Sequence, residues 1–188
     1  MNTEMLNALK EKAHKTAVEH GFYEEVKPDA FYLGLVMSEA GEAINADRKG
    51  MHADTKSFEE LGEWPFDLNF RIYIKDSVED EIADIVIRLL DFAGLRGYEL
   101  KFVEDYTLSD PVFPVLEREG LVSALFQLNY ALGFYYDRYN LGTGINKLIF
   151  IYSECFGKMT GSDKDLWWFV EQKMRYNDLR PRLNGKKY

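Results

Sequence analysis

Glu39 and Glu42 stand three residues apart, and Glu81 and Asp84 repeat that spacing further along the chain. On a helix advancing roughly 100° per residue, such pairs lie about 60° apart on the wheel. Tyr32, Leu35, Val36, Ala43 and Ala46 fall on the side of Glu39 and Glu42; Val78, Ile85, Phe92 and Leu95 fall on the side of Glu81 and Asp84, with Glu79 pointing away. Each acid pair therefore interrupts an apolar stripe. A carboxylate buried without a partner takes up a proton rather than stay charged. Four carboxylates from two facing helices need a cation between them, and oxygen ligands without His or Cys select Mg2+, with Mn2+ as the second choice. Glu39, Glu42, Glu81 and Asp84 are the expected ligands. The plainer account pairs these acids with Lys and Arg or leaves them at a wet edge. Arg88, one turn after Asp84, would be such a partner, and Asp91, one turn further, would be an extra ligand or the other half of an Arg88 pair.

A second group with chemistry lies near the C-terminus. Lys173, Asn177 and Arg180 share one helix face beside Phe169 and Val170, and the run from Arg180 to Tyr188 is rich in Lys and Arg. In a chain of net charge -9 this is the natural place to receive phosphate. A solvated basic tail at a helix C-terminus is the competing account.

The elements that must position these groups read as helices. Asn2 or Thr3 caps a first helix reaching about His20, with Gly21 as its stop. A second begins near Pro28 and Asp29 and ends at Gly50, Pro at the start and Gly at the end. Residues 51–75 break the pattern with Gly62, Pro65 and an alternating Phe70, Ile72, Ile74, so the expectation is a long loop with one short strand. A third helix starts near Asp76 and Ser77 and closes at Gly97, Ser77 and Asp80 being at near capping-box spacing. A connector from Asp110 to Pro114 follows, then helices from about Pro114 to Asn140, Gly144 to Met159 and Ser162 to Leu179. The sum is an all-α chain: an antiparallel helical bundle of five to six helices in a single domain over residues 1–188.

Composition bounds the function. Of 188 residues, 46% are hydrophobic and 29% charged, a globular balance. The acidic surface excludes polymeric nucleic acid as a partner but not small phosphorylated molecules carried by a metal ion. Cys155, the only cysteine, allows no internal disulfide and no cysteine-based zinc site. Residues 1–20 lack the apolar core of a secretory signal, and no apolar run has the length of a membrane span, so a cytoplasmic location is expected. Aromatics reach 15% and cluster between Phe102 and Tyr152, marking a core or a subunit interface.

Three segments together resemble the MazG-like family of all-α nucleoside triphosphate pyrophosphohydrolases. They are Leu35-Val36-Met37-Ser38-Glu39-Ala40-Gly41-Glu42-Ala43, Asp80-Glu81-Ile82-Ala83-Asp84-Ile85-Val86-Ile87-Arg88 and Lys173-Met174-Arg175-Tyr176-Asn177-Asp178-Leu179-Arg180-Pro181. The resemblance implies a homodimer or larger assembly that cleaves a nucleoside triphosphate, ribo or deoxy, to the monophosphate and pyrophosphate. It implies Glu39, Glu42, Glu81 and Asp84 as holders of Mg2+, and Lys173, Asn177 and Arg180 as contacts to phosphate or nucleotide. Glu42 is the first choice to orient the attacking water, and Trp64, Phe66 and Phe70 of the long loop are candidates for the base. Two departures stand out: a longer gap between the acid pairs, and Asn184 where many relatives carry His before the terminal Gly-Lys. Two other readings stay open. One is a di-iron carboxylate bundle, for which only Glu11 and His14 supply the E-x-x-H spacing. The other is a non-catalytic interaction protein using Phe126, Tyr130, Phe134 and Tyr135 as a binding face.

Overall fold

Asn2 accepts a hydrogen bond from the Met5 N–H (2.9 Å) and starts helix α1, Thr3–Glu19, as its residue type leads one to expect. The computed structural model describes residues 1–25, 27–60, 64–102 and 112–185, with residues 184 and 185 as backbone alone. Among them are nine α-helices, a final 3-10 turn and no strand. After α1 come α2 (Asp29–Arg48), α3 (Thr55–Glu60), α4 (Phe66–Tyr73), α5 (Val78–Arg96), α6 (Val112–Glu119), α7 (Leu121–Arg138), α8 (Leu141–Thr160) and α9 (Leu166–Asp178). The chain is all-α, as its periodicity indicates. The expected Asp110–Pro111 part of a connector, Gly62 and the terminal Lys186-Lys187-Tyr188 lie outside the described residues.

Helix α5 organises the rest. Ser77 caps it by accepting from the Asp80 N–H (3.2 Å), and Gly97 ends it in the left-handed conformation (φ 65°) that a residue with a Cβ resists. Val78, Ile82, Ile85, Val86, Leu89 and Leu90 are fully buried. Surrounded in this way, α5 packs against α1, α2, α8 and α9. Tyr32 meets Phe92 (6.3 Å between rings) while Glu39 meets Arg88, so α2 and α5 run in opposite directions along each other. Buried apolar residues from Leu6 to Tyr176 join in one continuous cluster.

Two expectations are corrected. The described residues of 51–75 form no strand: they hold α3 and α4, and Phe70 is fully buried, stacked on Tyr176 of α9 (4.6 Å between centroids). The alternation misled because Phe66, Phe70 and Ile74 are also four apart, and Ile72, a member of the alternating set, is 53% exposed. The single helix expected from Pro114 to Asn140 is two. Gly120, at φ 83° and ψ -172°, breaks it between α6 and α7 in a conformation reserved for glycine.

Gly94 allows a close approach of α1 and α5: a Cβ added there would lie 2.5 Å from the His14 Cβ. We predict that Gly94→Ala lowers unfolding free energy by about 1–3 kcal/mol through overpacking, despite a helix-propensity gain of about 1 kcal/mol. Gly34→Ala on α2, where an added methyl meets nothing within 4 Å, should instead raise stability by roughly 0.5–1 kcal/mol. Urea denaturation of both variants reads the contrast.

Candidate metal centre

Glu39, Glu81 and Asp84 each present an oxygen such that the three lie within 4.8 Å of one another. Glu39 and Glu81 are buried, at 2% and 4% exposure. The packing of α2 against α5 creates this cluster: both helices turn an apolar stripe to each other, and the acids are embedded in those stripes. Glu42, the fourth expected ligand, stands apart. It is exposed and outside the group, though near enough for its charge to raise the pKa of both Glu39 and Glu81. The step of about 60° around α2 is enough to carry Glu42 from the α5-facing stripe to its wet edge.

The electrostatics are those of too many acids. Burial raises the pKa of Glu39, the charge of Asp84 adds to it, and Arg88 opposes. Burial, with Asp84, Asp80 and Glu42, pushes Glu81 up to about 8 against the pull of Lys173. Arg88 Nε donates to Glu39 Oε1 (2.5 Å); Lys173 Nζ donates to Asp80 Oδ2 (2.6 Å) and sits 2.9 Å from Asp84 Oδ2. Burial works against both cations, but the neighbouring carboxylates outweigh it and raise their pKa values. Five carboxyl groups (Glu39, Glu42, Asp80, Glu81, Asp84) thus share two cations (Arg88, Lys173), too few for all five to stay ionised, and Glu81 is the one pushed furthest toward its protonated form. Asp80 Oδ1, wholly buried, has no hydrogen-bond partner among the described residues. The unbalanced charge, the unpaired oxygen and the all-oxygen donor set fit a divalent ion of the magnesium kind.

The sequence did not mark Asp80 as more than a capping residue. With Asp76 and Glu81 it forms a second acid group, in which Asp80 Oδ2 accepts from the Asp76 N–H (3.0 Å). Glu79, expected on the far side of α5, is buried: it accepts from the Ala53 N–H (2.9 Å) and pairs with His52 Nδ1 (2.9 Å), clipping the start of α3 to α5. Asp91 pairs with His14 Nδ1 (2.9 Å) instead of Arg88. His14 therefore holds a carboxylate of α5, and neither acid group among the described residues contains a histidine, so the E-x-x-H reading finds no di-iron ligand set here.

A cavity of about 660 Å3 opens beside the cluster. Asp84, Arg88 and Asp91 of α5 line one wall; Asn177, Arg180 and Arg182 line another; Phe22, Tyr23, Phe31 and Tyr32 supply an aromatic part. The expected phosphate-binding face of α9 is thereby divided. Asn177 and Arg180 reach the cavity, and Asn177 Oδ1 is buried with no partner among the described residues. Lys173 is buried in the acid cluster, one turn too early on α9 to reach the opening. Trp64, Phe66 and Phe70 do not line this cavity: Phe70 is core, and Phe66 packs under Arg175 (3.8 Å). The α1–α2 connection, which carried no motif, supplies the rings instead. The chain was compared with protein-family models, curated proteins and solved structures, and none of them matches.

Two outcomes follow from this electrostatic balance. Glu81→Gln should leave stability without metal nearly unchanged at neutral pH, since the amide replaces a carboxyl that burial already holds toward its protonated form, yet abolish a Mg2+-dependent rise of about 5–10 °C expected for the parent at saturating ion. Lys173→Met, which strands Asp80 in the interior, should cost about 3–5 kcal/mol. Thermal unfolding with and without MgCl2 measures both.

Proposed function

We propose that the chain is a Mg2+-dependent nucleotide pyrophosphohydrolase of the MazG-like kind, cleaving a nucleoside triphosphate to the monophosphate and pyrophosphate. The observation that carries this reading is the acid cluster of Glu39, Glu81 and Asp84, two of them buried, which opens through Asp84 onto a cavity whose other side offers Asn177 and Arg180. Acids alone repel a triphosphate, so these two sets of groups would serve one ligand only if a divalent ion offset the acid charge. When bound, such an ion supplies charge neutralisation for phosphate oxygens and acidifies a coordinated water.

The protein's own groups would do the rest. Glu39, Glu81 and Asp84 hold the ion, with Asp80 next to them and Glu42 at the rim. Glu42, exposed beside the cluster, would accept the proton of an attacking water. The water oxygen bonds to phosphorus, the bridging α–β oxygen leaves with its electron pair, and pyrophosphate departs. Arg180 and Asn177 hold the phosphates, the guanidinium by charge and the amide by hydrogen bonding. Lys173 acts from within the cluster, holding Asp80 and Asp84 in place.

A homodimer is part of the proposal. Leu121 to Tyr136 contains no charged residue, in a chain where 29% are charged. Within it Val122, Phe126, Tyr130 and Phe134 follow one another at intervals of four and are all exposed, the two middle ones at 66%. The same uncharged stripe set against itself in a second copy brings no like charges together, whereas the rest of so acidic a surface would repel its copy. This stripe also favours the interaction-protein reading, which differs in predicting no turnover.

We expect the purified protein to release pyrophosphate from at least one common nucleoside triphosphate with Mg2+, and Glu81→Ala to lower kcat by about 100-fold or more. Full activity in the variant, or no release with any nucleotide, overturns the reading. Phe126→Lys with Tyr130→Lys should convert the dimer to a monomer in sedimentation.

A further inference from the structure

The proposed chemistry leaves one group in the cavity unused. Asp91 lies two turns beyond Asp84 on α5, about 10 Å along the axis. Its Oδ1 bonds His14 Nδ1 (2.9 Å), and the Tyr23 hydroxyl donates to the same carboxylate. The His14 and Tyr23 rings meet edge to face at 5.0 Å. The close approach of α1 to α5 at Gly94 fixes where His14 stands. So α1, the α1–α2 connection and α5 converge on a single carboxylate. A carboxylate has about four acceptor sites, and two are taken. Asp91 still lines the cavity. Burial raises its pKa, with the His14 and Tyr23 hydrogen bonds opposing, so a further donor would be welcome there.

The neighbouring groups have an order. Glu39 and Asp84 mark one level of the α2–α5 pair; Tyr32 and Asp91 mark the next, each seven residues away on its own helix, and Tyr32 contacts both Tyr23 (5.4 Å) and Phe31 (5.5 Å). The acid cluster at one level, with Asp91 and the rings together at the next, matches a nucleotide's division into phosphates at one end and sugar with base at the other. We propose that Asp91 accepts a hydrogen bond from the 3′-hydroxyl of the bound nucleotide, making the site selective for nucleotides with an intact 3′ position, with His14 and Tyr23 as its positioning residues. The inference rests on the nucleotide reading above. The 3′-hydroxyl is common to ribo- and deoxynucleotides and sits on the ring edge nearer the 5′-phosphate chain, the edge that a ligand anchored at Asp84 would turn to Asp91.

Binding of 2′-deoxy- and 2′,3′-dideoxynucleoside monophosphates, measured calorimetrically with Mg2+ in each common base series, tests this without catalysis. The parent should bind the deoxynucleotide about tenfold tighter or more, the worth of a hydrogen bond to a charged acceptor. Asp91→Asn should bring the two within about twofold, and Tyr23→Phe should narrow the gap, with inorganic tripolyphosphate binding unchanged in both. Equal binding of the two ligands by the parent overturns the inference, as does a folded Asp91→Asn that keeps the preference. Should Asp91→Asn not fold, the parent comparison and Tyr23→Phe decide. A 3′-dependent affinity without pyrophosphate release keeps the inference and removes the reaction; release without the preference does the reverse; no nucleotide binding removes both.

Discussion

The placing of several carboxylates in the contact between α2 and α5 is the constraint from which the other features follow. Glu39, Asp80 and Glu81 are buried, and at protein-like dielectric each uncompensated charge costs several kcal/mol. The chain answers with cations drawn from two directions. Arg88 comes from α5 itself, and Lys173 from α9, where its ammonium is surrounded by Asp80 and Asp84. Lys173 thereby ties α9 to α5, and with it the cavity wall that Asn177 and Arg180 provide.

That compensation is incomplete, and the remainder gives the site its character. The two cations, Lys173 buried and Arg88 half-buried, stabilise the carboxylates closest to them and leave Glu81 with its pKa pushed up to about 8. A fully neutralised cluster would be a structural ion network; a cluster with no cations would protonate. This intermediate condition is the one that the proposed Mg2+-dependent reaction requires. The short helices α3 and α4 contribute indirectly, since Phe70 stacks on Tyr176 and so braces α9 from the side away from the cavity.

The second polar constellation, Asp91 with His14 and Tyr23, is made differently. No excess charge gathers there. One acid is held by two donors from another part of the chain, and the surrounding rings make the wall aromatic. Charge at one level of the cavity and stacking surface at the next are complementary to a ligand that is itself divided, one end ionic and the other flat.

Much of this was legible in the residues. Helix ends followed capping chemistry at Asn2, Ser77 and Gly97 because those signals are local, depending on side chains within one turn. The acids on α2 and α5 stood out because polar residues in an apolar stripe violate helix periodicity, whatever the fold. The partnerships were not legible. That Arg88 takes Glu39 and not Asp91, that Glu42 falls to the rim, that Glu79 is buried and that the α1–α2 connection walls the cavity all depend on how far one helix is rotated against the next. Such rotations are fixed by the fit of side chains distant in sequence, so pairings across helices were decided by tertiary packing alone.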